Sequence, residues 1–391
     1  MRQERLPQLD GLRGLAILLV VVWHYVSVPL LAAVPHSRLA SPLRFAWSGV
    51  DLFFVLSGFL IGGILLDHRE SSAYFRAFYA RRACRILPLY TLWVALFFVI
   101  VAAWGGRLGA TQLAELFAPA LPWWRYVTFT QNFAMAAARD FGARWLGITW
   151  SLAIEEQFYL FLPLLVRFLP RRAIPWVLGA LAAAAPLLRL ALDPSGRGLA
   201  MMLPFCRADS LMLGALCAWL VRRPDARAWL AERRSWLYAL LVLQLAVVVA
   251  LGASRTIFEA SPGASYFSRF ALLYVTLLLI AVSETTGPAR AVLEWSWLRR
   301  LGGIAYCVYL THVAVLALVH VAVLGEAPGR FSAAAMGVAL VAFALTCVLG
   351  ALSWRFVEGP MIVLGHRVGY ERTSGGTRSE VAAEAPARSV T

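Results

Sequence analysis

Residues 9 to 25 read LDGLRGLAILLVVVWHY, which places Arg13 and His24 on either side of the apolar run from Leu15 to Trp23. Eleven residues at about 100 degrees each make roughly three turns plus 20 degrees, so the two polar groups share one helical stripe about 16 Å apart. A guanidinium at the start of an apolar span and an imidazole deep within it are costly in a bilayer, and intramembrane ionisable residues point to function by default. Taken singly, each has a structural explanation: Arg13 can snorkel, and His24 can be a hydrogen-bonded packing residue. Their common register favours a shared site.

The rest of the chain agrees that this stretch is a membrane helix. Its 391 residues are 61% hydrophobic and 15% charged, with a mean hydropathy of +0.71, well outside the soluble range of about 45 to 50% apolar and 25% charged. The formal charge of +15 comes from arginine alone, since the sequence contains no lysine. Lysine-based and Schiff-base chemistry are therefore excluded. The basic balance is explained by membrane topology rather than nucleic acid. Cys84, Cys206, Cys217, Cys307 and Cys347 form no CxxC pair and indicate neither a disulfide framework nor a metal site. An uncleaved first helix, rather than a signal peptide, follows from the late histidine and the many further spans.

The fold class predicted is all-α, a polytopic membrane helix bundle of about ten transmembrane helices. Runs of about 20 apolar residues place them near 12–31, 45–66, 87–104, 148–169, 173–192, 200–221, 236–253, 266–284, 300–324 and 332–353. With the N-terminus inside, arginine favours the cytoplasmic segments by about two to one, which puts both termini in the cytoplasm. Segment 105–147 is then the long external connection. Its Trp123, Trp124, Gln131 and Asn132 suit either a sugar or, the reading favoured here, an interfacial aromatic belt. From about Thr373 the composition turns to Ser, Gly, Ala, Glu and Arg, and 365–391 is expected to be a disordered cytoplasmic tail.

Depth along the helices shows which polar groups can meet. His24, Asp51, Glu155 and Asp209 each fall about 9 to 13 Å below the external end of their spans, so a single polar layer is expected. Burying Asp51, Glu155, Glu156, Arg207 and Asp209 would cost on the order of 3 kcal/mol each without partners. Glu155 is preferred over Glu156 because it shares the i, i+4, i+8 stripe with Ser151 and Tyr159. Asp209 can neutralise Arg207 two residues away, Asp51 can cap or bend its helix beside Gly49, and Arg355 and Glu358 can form a local ion pair. His312 falls near mid-membrane with Tyr309 three residues before it, as a second ligand-facing candidate, although a histidine hydrogen-bonded to a neighbouring helix is the commoner outcome. Arg81, Arg82 and Arg85 before the third span suit phosphate binding as well as topology.

The ordered pieces LDGLRG with Arg13 and His24, SGVDLFFVLSGFLI, RRACRILPLY, TWSLAIEEQFYLFLP, RADSLMLG, AYCVYLTH and SWRFVEGP together resemble the membrane acyltransferase-3 family. The similarity runs over about residues 9 to 360, and seven motifs in order carry it. The resemblance implies a bacterial inner-membrane O-acyltransferase, with residues 1–364 as its transmembrane domain. Such enzymes move an acyl group, commonly acetyl, from cytoplasmic acyl-CoA to a hydroxyl of a glycan, a lipid-linked sugar or a small molecule. No bound cofactor is implied; acyl-CoA is the donor substrate, and the other partners are the acceptor and the lipid bilayer. Arg13 and His24 match the family's arginine, ten residues, histidine motif, and Arg82 and Arg85 its arginine, two residues, arginine motif. Some relatives add a soluble esterase-like domain after the last helix, which is not expected here.

On this reading His24 is catalytic, as a neutral imidazole taking the hydroxyl proton or as the nucleophile that accepts the acyl group. Glu155 or Asp51 would orient it, by triad logic. Arg13, Arg82, Arg85, Arg207, Asp209, Tyr309 and His312 are the candidate substrate-binding residues. The competing class is a proton-coupled transporter or flippase, whose usual internal symmetry is not found in the sequence. A non-enzymatic membrane sensor would leave the polar layer unexplained.

Overall fold

The computed structural model describes residues 6–35, 37–38, 40–108, 111–193, 199–253, 263–284 and 286–370. The described residues form helices and connecting turns, with no strand among them. Ten helical spans follow in chain order: α1 (Pro7–Ala33), α2 (Ser41–Asp67), α3 (Tyr74–Leu108), α4 (Thr149–Phe168), α5 (Ile174–Leu192), α6 (Ala208–Leu220), α7 (Arg234–Leu251), α8 (Tyr266–Ser283), α9 (Ala305–Leu324) and α10 (Ala333–His366). The tail predicted for 365–391 lies outside the described residues from 371 onward.

Eight of the ten are long and apolar enough to cross a bilayer. The other two are α4 and α6, and their departure has a chemical cause. Helix α4 carries Glu155, Glu156, Gln157 and Arg167 in its 20 residues. Helix α6 has 13 residues, about 20 Å at 1.5 Å per residue, short of a hydrocarbon core of about 30 Å. The short turns Leu199–Met202 and Pro204–Cys206 lead into it. Irregular backbone at such depth is tolerated where protein surrounds it, and Cys206, Arg207 and Ala208 are buried.

Helix α3 also differs from expectation. It begins at Tyr74 and runs 35 residues through Pro88, about 52 Å, so Arg81, Arg82 and Arg85, expected just before the third span, are on the same helix as that span.

Two glycine contacts position the site. A Cβ on Gly58 would come within 1.9 Å of the Leu211 carbonyl oxygen, and one on Gly214 within 2.1 Å of the Val55 carbonyl oxygen. Helices α2 and α6 thus touch backbone to backbone, as small residues allow between membrane helices. In the same way Gly14 abuts the Leu298 carbonyl oxygen and Gly302 that of Asp10, which clamps the start of α1 against the short helix Ser296–Gly303 that precedes α9. Gly303, by contrast, has open space around it. Helix α7 stands on the outside, with 6% of its most apolar window buried, as a lipid-facing helix should.

Gly58→Ala should therefore destabilise the purified protein by about 1 to 3 kcal/mol, the usual cost of overpacking. Gly179, whose Cβ would meet nothing within 4 Å, supplies the control: Gly179→Ala should be neutral or slightly stabilising, since Ala is the better helix former. Thermal melting in detergent reads both.

Candidate active site

Helix α1 is not a uniform α-helix. Residues Trp23–Ser27 form one π turn, in which the Val28 N–H reaches the Trp23 carbonyl, five residues back. The cause is Pro29: without an N–H it leaves the Tyr25 carbonyl unpaired in the α register and favours the wider turn. The same construction recurs at Trp354–Glu358, where the Gly359 N–H reaches the Trp354 carbonyl and Pro360 follows. Both segments read Trp, any residue, aromatic, Val, two residues, Pro. His24 is the second residue of the first π turn, and π turns often occur at functional sites.

His24 faces a cavity of about 350 Å³ that Trp47, Trp150, Arg144, Arg207, Tyr309 and His320 also line. Its Nδ1 lies 3.0 Å from the Val20 carbonyl oxygen and 3.2 Å from His312 Nε2. His312 Nδ1 in turn lies 2.7 Å from the Tyr309 carbonyl oxygen and 3.1 Å from that of Val308. Carbonyls only accept, so the hydrogen-bond pattern assigns a proton to Nδ1 of each ring. His312 Nε2 is then an acceptor for His24 Nδ1–H, and the lone pair of His24 Nε2 is left for the cavity. The rings meet edge to face at 4.9 Å, and the Tyr25 hydroxyl donates to the His312 carbonyl at 2.9 Å.

A second cavity, of about 200 Å³, lies toward the other end of the bundle. Arg13, Arg82, Arg85, Glu155, Tyr159 and Tyr306 line it. The positive charges of Arg82 and Arg85 act on Arg13 and on Glu155. Arg13 is also 3.1 Å from Asp10, and the Tyr159 hydroxyl is 3.5 Å from Glu155 Oε2 and 2.7 Å from Ser57 Oγ. Tyr309 and Val50 line both cavities. The Tyr309 hydroxyl is held 2.5 Å from Ser151 Oγ and donates to the Ile148 carbonyl at 3.1 Å, so this ring forms part of the wall between them.

Several sequence expectations need correction. The single polar layer is two levels, with His24 in one cavity and Glu155 in the other. Neither Glu155 nor Asp51 orients His24; His312 does. His312 itself is fully buried and lines neither cavity, so it supports His24 rather than facing a ligand. Asp51 is bound 2.6 Å from Arg207 Nη2 and 3.3 Å from Ser210 Oγ. Asp209 does not neutralise Arg207: it pairs with Arg189 at 2.7 Å and accepts from Ser268 Oγ at 2.8 Å, and it lines neither cavity.

Smaller expectations change as well. Glu358 accepts from Ser353 Oγ at 2.8 Å, whereas the Arg355 guanidinium lies over the Phe356 ring, so these two form no ion pair. The Gln131 and Asn132 amides face inward, donating to the Thr149 and Met202 carbonyls at 3.0 Å, which removes them from any external sugar site. Glu155 faces its cavity and Glu156 does not, as the helical stripe predicts.

Sequence reasoning missed Arg189 and His320. Arg189 is a lone cation in the apolar run LAAAAPLLRLAL, and that isolation was the available signal for a buried partner. Among the described residues, no group of three or more His, Cys, Asp or Glu side chains is arranged to hold a metal ion.

Fold and cavities define a multi-pass helical membrane protein with two internal chambers that share a wall. Residues 6–355 match the family model described as an acyltransferase domain, and the chain belongs to this membrane acyltransferase-3 family. It is 26% identical over 389 residues to the peptidoglycan O-acetyltransferase OatA of Listeria monocytogenes, covering 92% of this chain and 56% of that protein. It is also 26% identical over 385 residues to the O-acetyltransferase OatA of Staphylococcus aureus, covering 91% of this chain and 57% of the other. The chain thus spans a little over half the length of these curated relatives. No solved structure matches it.

The Arg189–Asp209 pair makes a direct test of the corrected wiring. Arg189→Gln should cost about 3 to 5 kcal/mol by leaving a buried carboxylate unpaired, and adding Asp209→Asn should restore most of the melting temperature. If Asp209 paired with Arg207 instead, the second change would lower stability further.

Proposed function

We propose that this protein is an O-acyltransferase that moves an acetyl group from acetyl-CoA to a hydroxyl of a glycan, lipid-linked sugar or small molecule. The observation that carries the reading is the pair of cavities meeting at Tyr309, one edged by Arg13, Arg82 and Arg85 and the other holding His24. Family membership supports acyl transfer, and the names of the relatives support acetyl as the group and a peptidoglycan-like glycan as the acceptor class.

Chemistry assigns the chambers. Guanidinium forks bind phosphate bidentately, so Arg82, Arg85 and Arg13 would hold the phosphates of CoA while its thin thioester arm passes Tyr309. The arginine asymmetry of the loops supports a cytoplasmic location for this end and for both termini, in an inner-membrane protein. The acceptor would occupy the His24 chamber from the other side.

In the transfer itself His24 Nε2 takes the proton of the acceptor hydroxyl as its oxygen attacks the thioester carbonyl carbon. The C–O bond forms, the C–S bond breaks, and the imidazolium returns its proton to the departing CoA thiolate. His312 keeps the Nδ1–H tautomer of His24 and steadies its ring, the task a carboxylate performs in other triads. A route in which His24 Nε2 first accepts the acetyl group uses the same lone pair and the same support.

Purified protein with radiolabelled acetyl-CoA tests the reading through transfer to acceptor or hydrolysis. At matched membrane levels, His24→Ala should lower turnover by at least about 10²-fold, within the range of general-base roles, with acetyl-CoA binding retained. Replacing Arg82 and Arg85 by Gln should instead raise the KM for acetyl-CoA, less visibly at high salt. Turnover of His24→Ala within tenfold of the parent would contradict the proposal.

A further inference from the structure

We infer that the acceptor held in the His24 chamber carries a negative charge, a carboxylate or a phosphate, seated on Arg207. The inference rests on the acyltransferase reading only in calling the occupant an acceptor. The charge of the chamber stands on its own. Its lining contains three arginines, Arg144, Arg207 and Arg330, and the histidines His24 and His320, with no Asp or Glu among the described lining residues.

Arg207 is the best-built part of this surface. Its side chain is 1% exposed, and its guanidinium carbon lies 4.1 Å from the Phe267 ring centre and 5.2 Å from that of Phe54. Asp51 takes one N–H, on Nη2. Nη1 and Nε are buried and have no hydrogen-bond partner in the protein. Buried guanidinium donors without a partner cost free energy until something satisfies them, and Arg207 is one of the residues that line the chamber. His320, 4% exposed, adds a second orphan on the same lining, its Nδ1.

The other two arginines suit the approach of an anion. Arg144 pairs with Glu115 at 2.7 Å with both side chains more than half exposed, and Arg330 faces Glu326 at 3.6 Å with its side chain 84% exposed. Exposed pairs of this kind are worth about 0 to 1 kcal/mol, so either arginine can turn to an incoming anion at little cost. Trp47 and Trp150 on the same lining supply flat apolar surface for a sugar ring. A neutral acceptor would use the tryptophans and leave the arginine donors unsatisfied.

The test uses the full chain in nanodiscs of zwitterionic lipid, without acetyl-CoA, titrated at matched ionic strength with methyl β-glucuronide, glucose 1-phosphate and methyl β-glucoside. Thermal stabilisation and tryptophan fluorescence report binding. At least one anionic probe should half-saturate at a concentration at least tenfold below the neutral glucoside, and their order shows whether carboxylate or phosphate is preferred. Because Arg207→Gln alone leaves Asp51 unpaired, the decisive variant combines it with Asp51→Asn; it should bring the three probes level. Equal responses to charged and neutral probes, or no response to any, overturn the inference. So would a charge preference that survives in the double variant. Since no donor is present, a failure here is separable from a failure of acetyl transfer, which the His24 experiment reads.

Discussion

A charge inside a bilayer-spanning bundle must find a partner, and most of this architecture can be read as the way that demand is met. Insertion scales put an unpaired Arg or Asp at mid-helix at about 3 kcal/mol. Asp51 on α2 meets Arg207 just before α6, and Arg189 on α5 meets Asp209 and Ser268, on α6 and α8. Four helices are thereby tied at one depth. Helix α6 can be short because its first turn begins inside this network, where Asp209 also complements the positive end of the helix dipole. The backbone contact through Gly58 and Gly214 then sets how closely α2 approaches α6, and hence where Arg207 lies relative to the chamber.

Histidine follows a different logic. His24 carries no carboxylate partner, and its orientation comes from backbone carbonyls and a second imidazole. A neutral His–His pair avoids the desolvation cost of a buried carboxylate while still fixing which nitrogen bears the proton. The π turn set by Pro29 places His24 in the chamber wall without breaking α1, with His312 buried behind it. Tyr309, three residues before His312, closes the wall between the chambers. Positioning and partition are therefore built on one stretch of α9.

Periodicity and hydropathy made eight of the helices legible because bilayer thickness imposes a length that composition reveals, whereas the span expected at 200–221 is a 13-residue helix led by two short turns. The stripe Ser151, Glu155, Tyr159 also predicted correctly which glutamate faces a cavity. Depth counting worked less well. It ranked His24, Asp51, Glu155 and Asp209 by distance from a helix end, but it could not show the direction each faces in the packed bundle, so two levels looked like one. Pairing was hidden for the same reason: Arg207 and Asp209 are neighbours in sequence, yet α2 and α5 bring each a different partner. The second π turn could have been anticipated, since the Trp, aromatic, Val, Pro pattern is visible twice in the sequence.

Two chambers sharing the Tyr309 wall make sense as a donor site and an acceptor site served from opposite faces of the membrane. Protein inserted in one orientation in sealed vesicles measures this directly, with radiolabelled acetyl-CoA supplied only at the arginine face and acceptor glycan only at the other. The account predicts labelled acceptor on the far side while the vesicles remain impermeable to acetyl-CoA. Labelling that occurs only when donor and acceptor are supplied to the same face would contradict it.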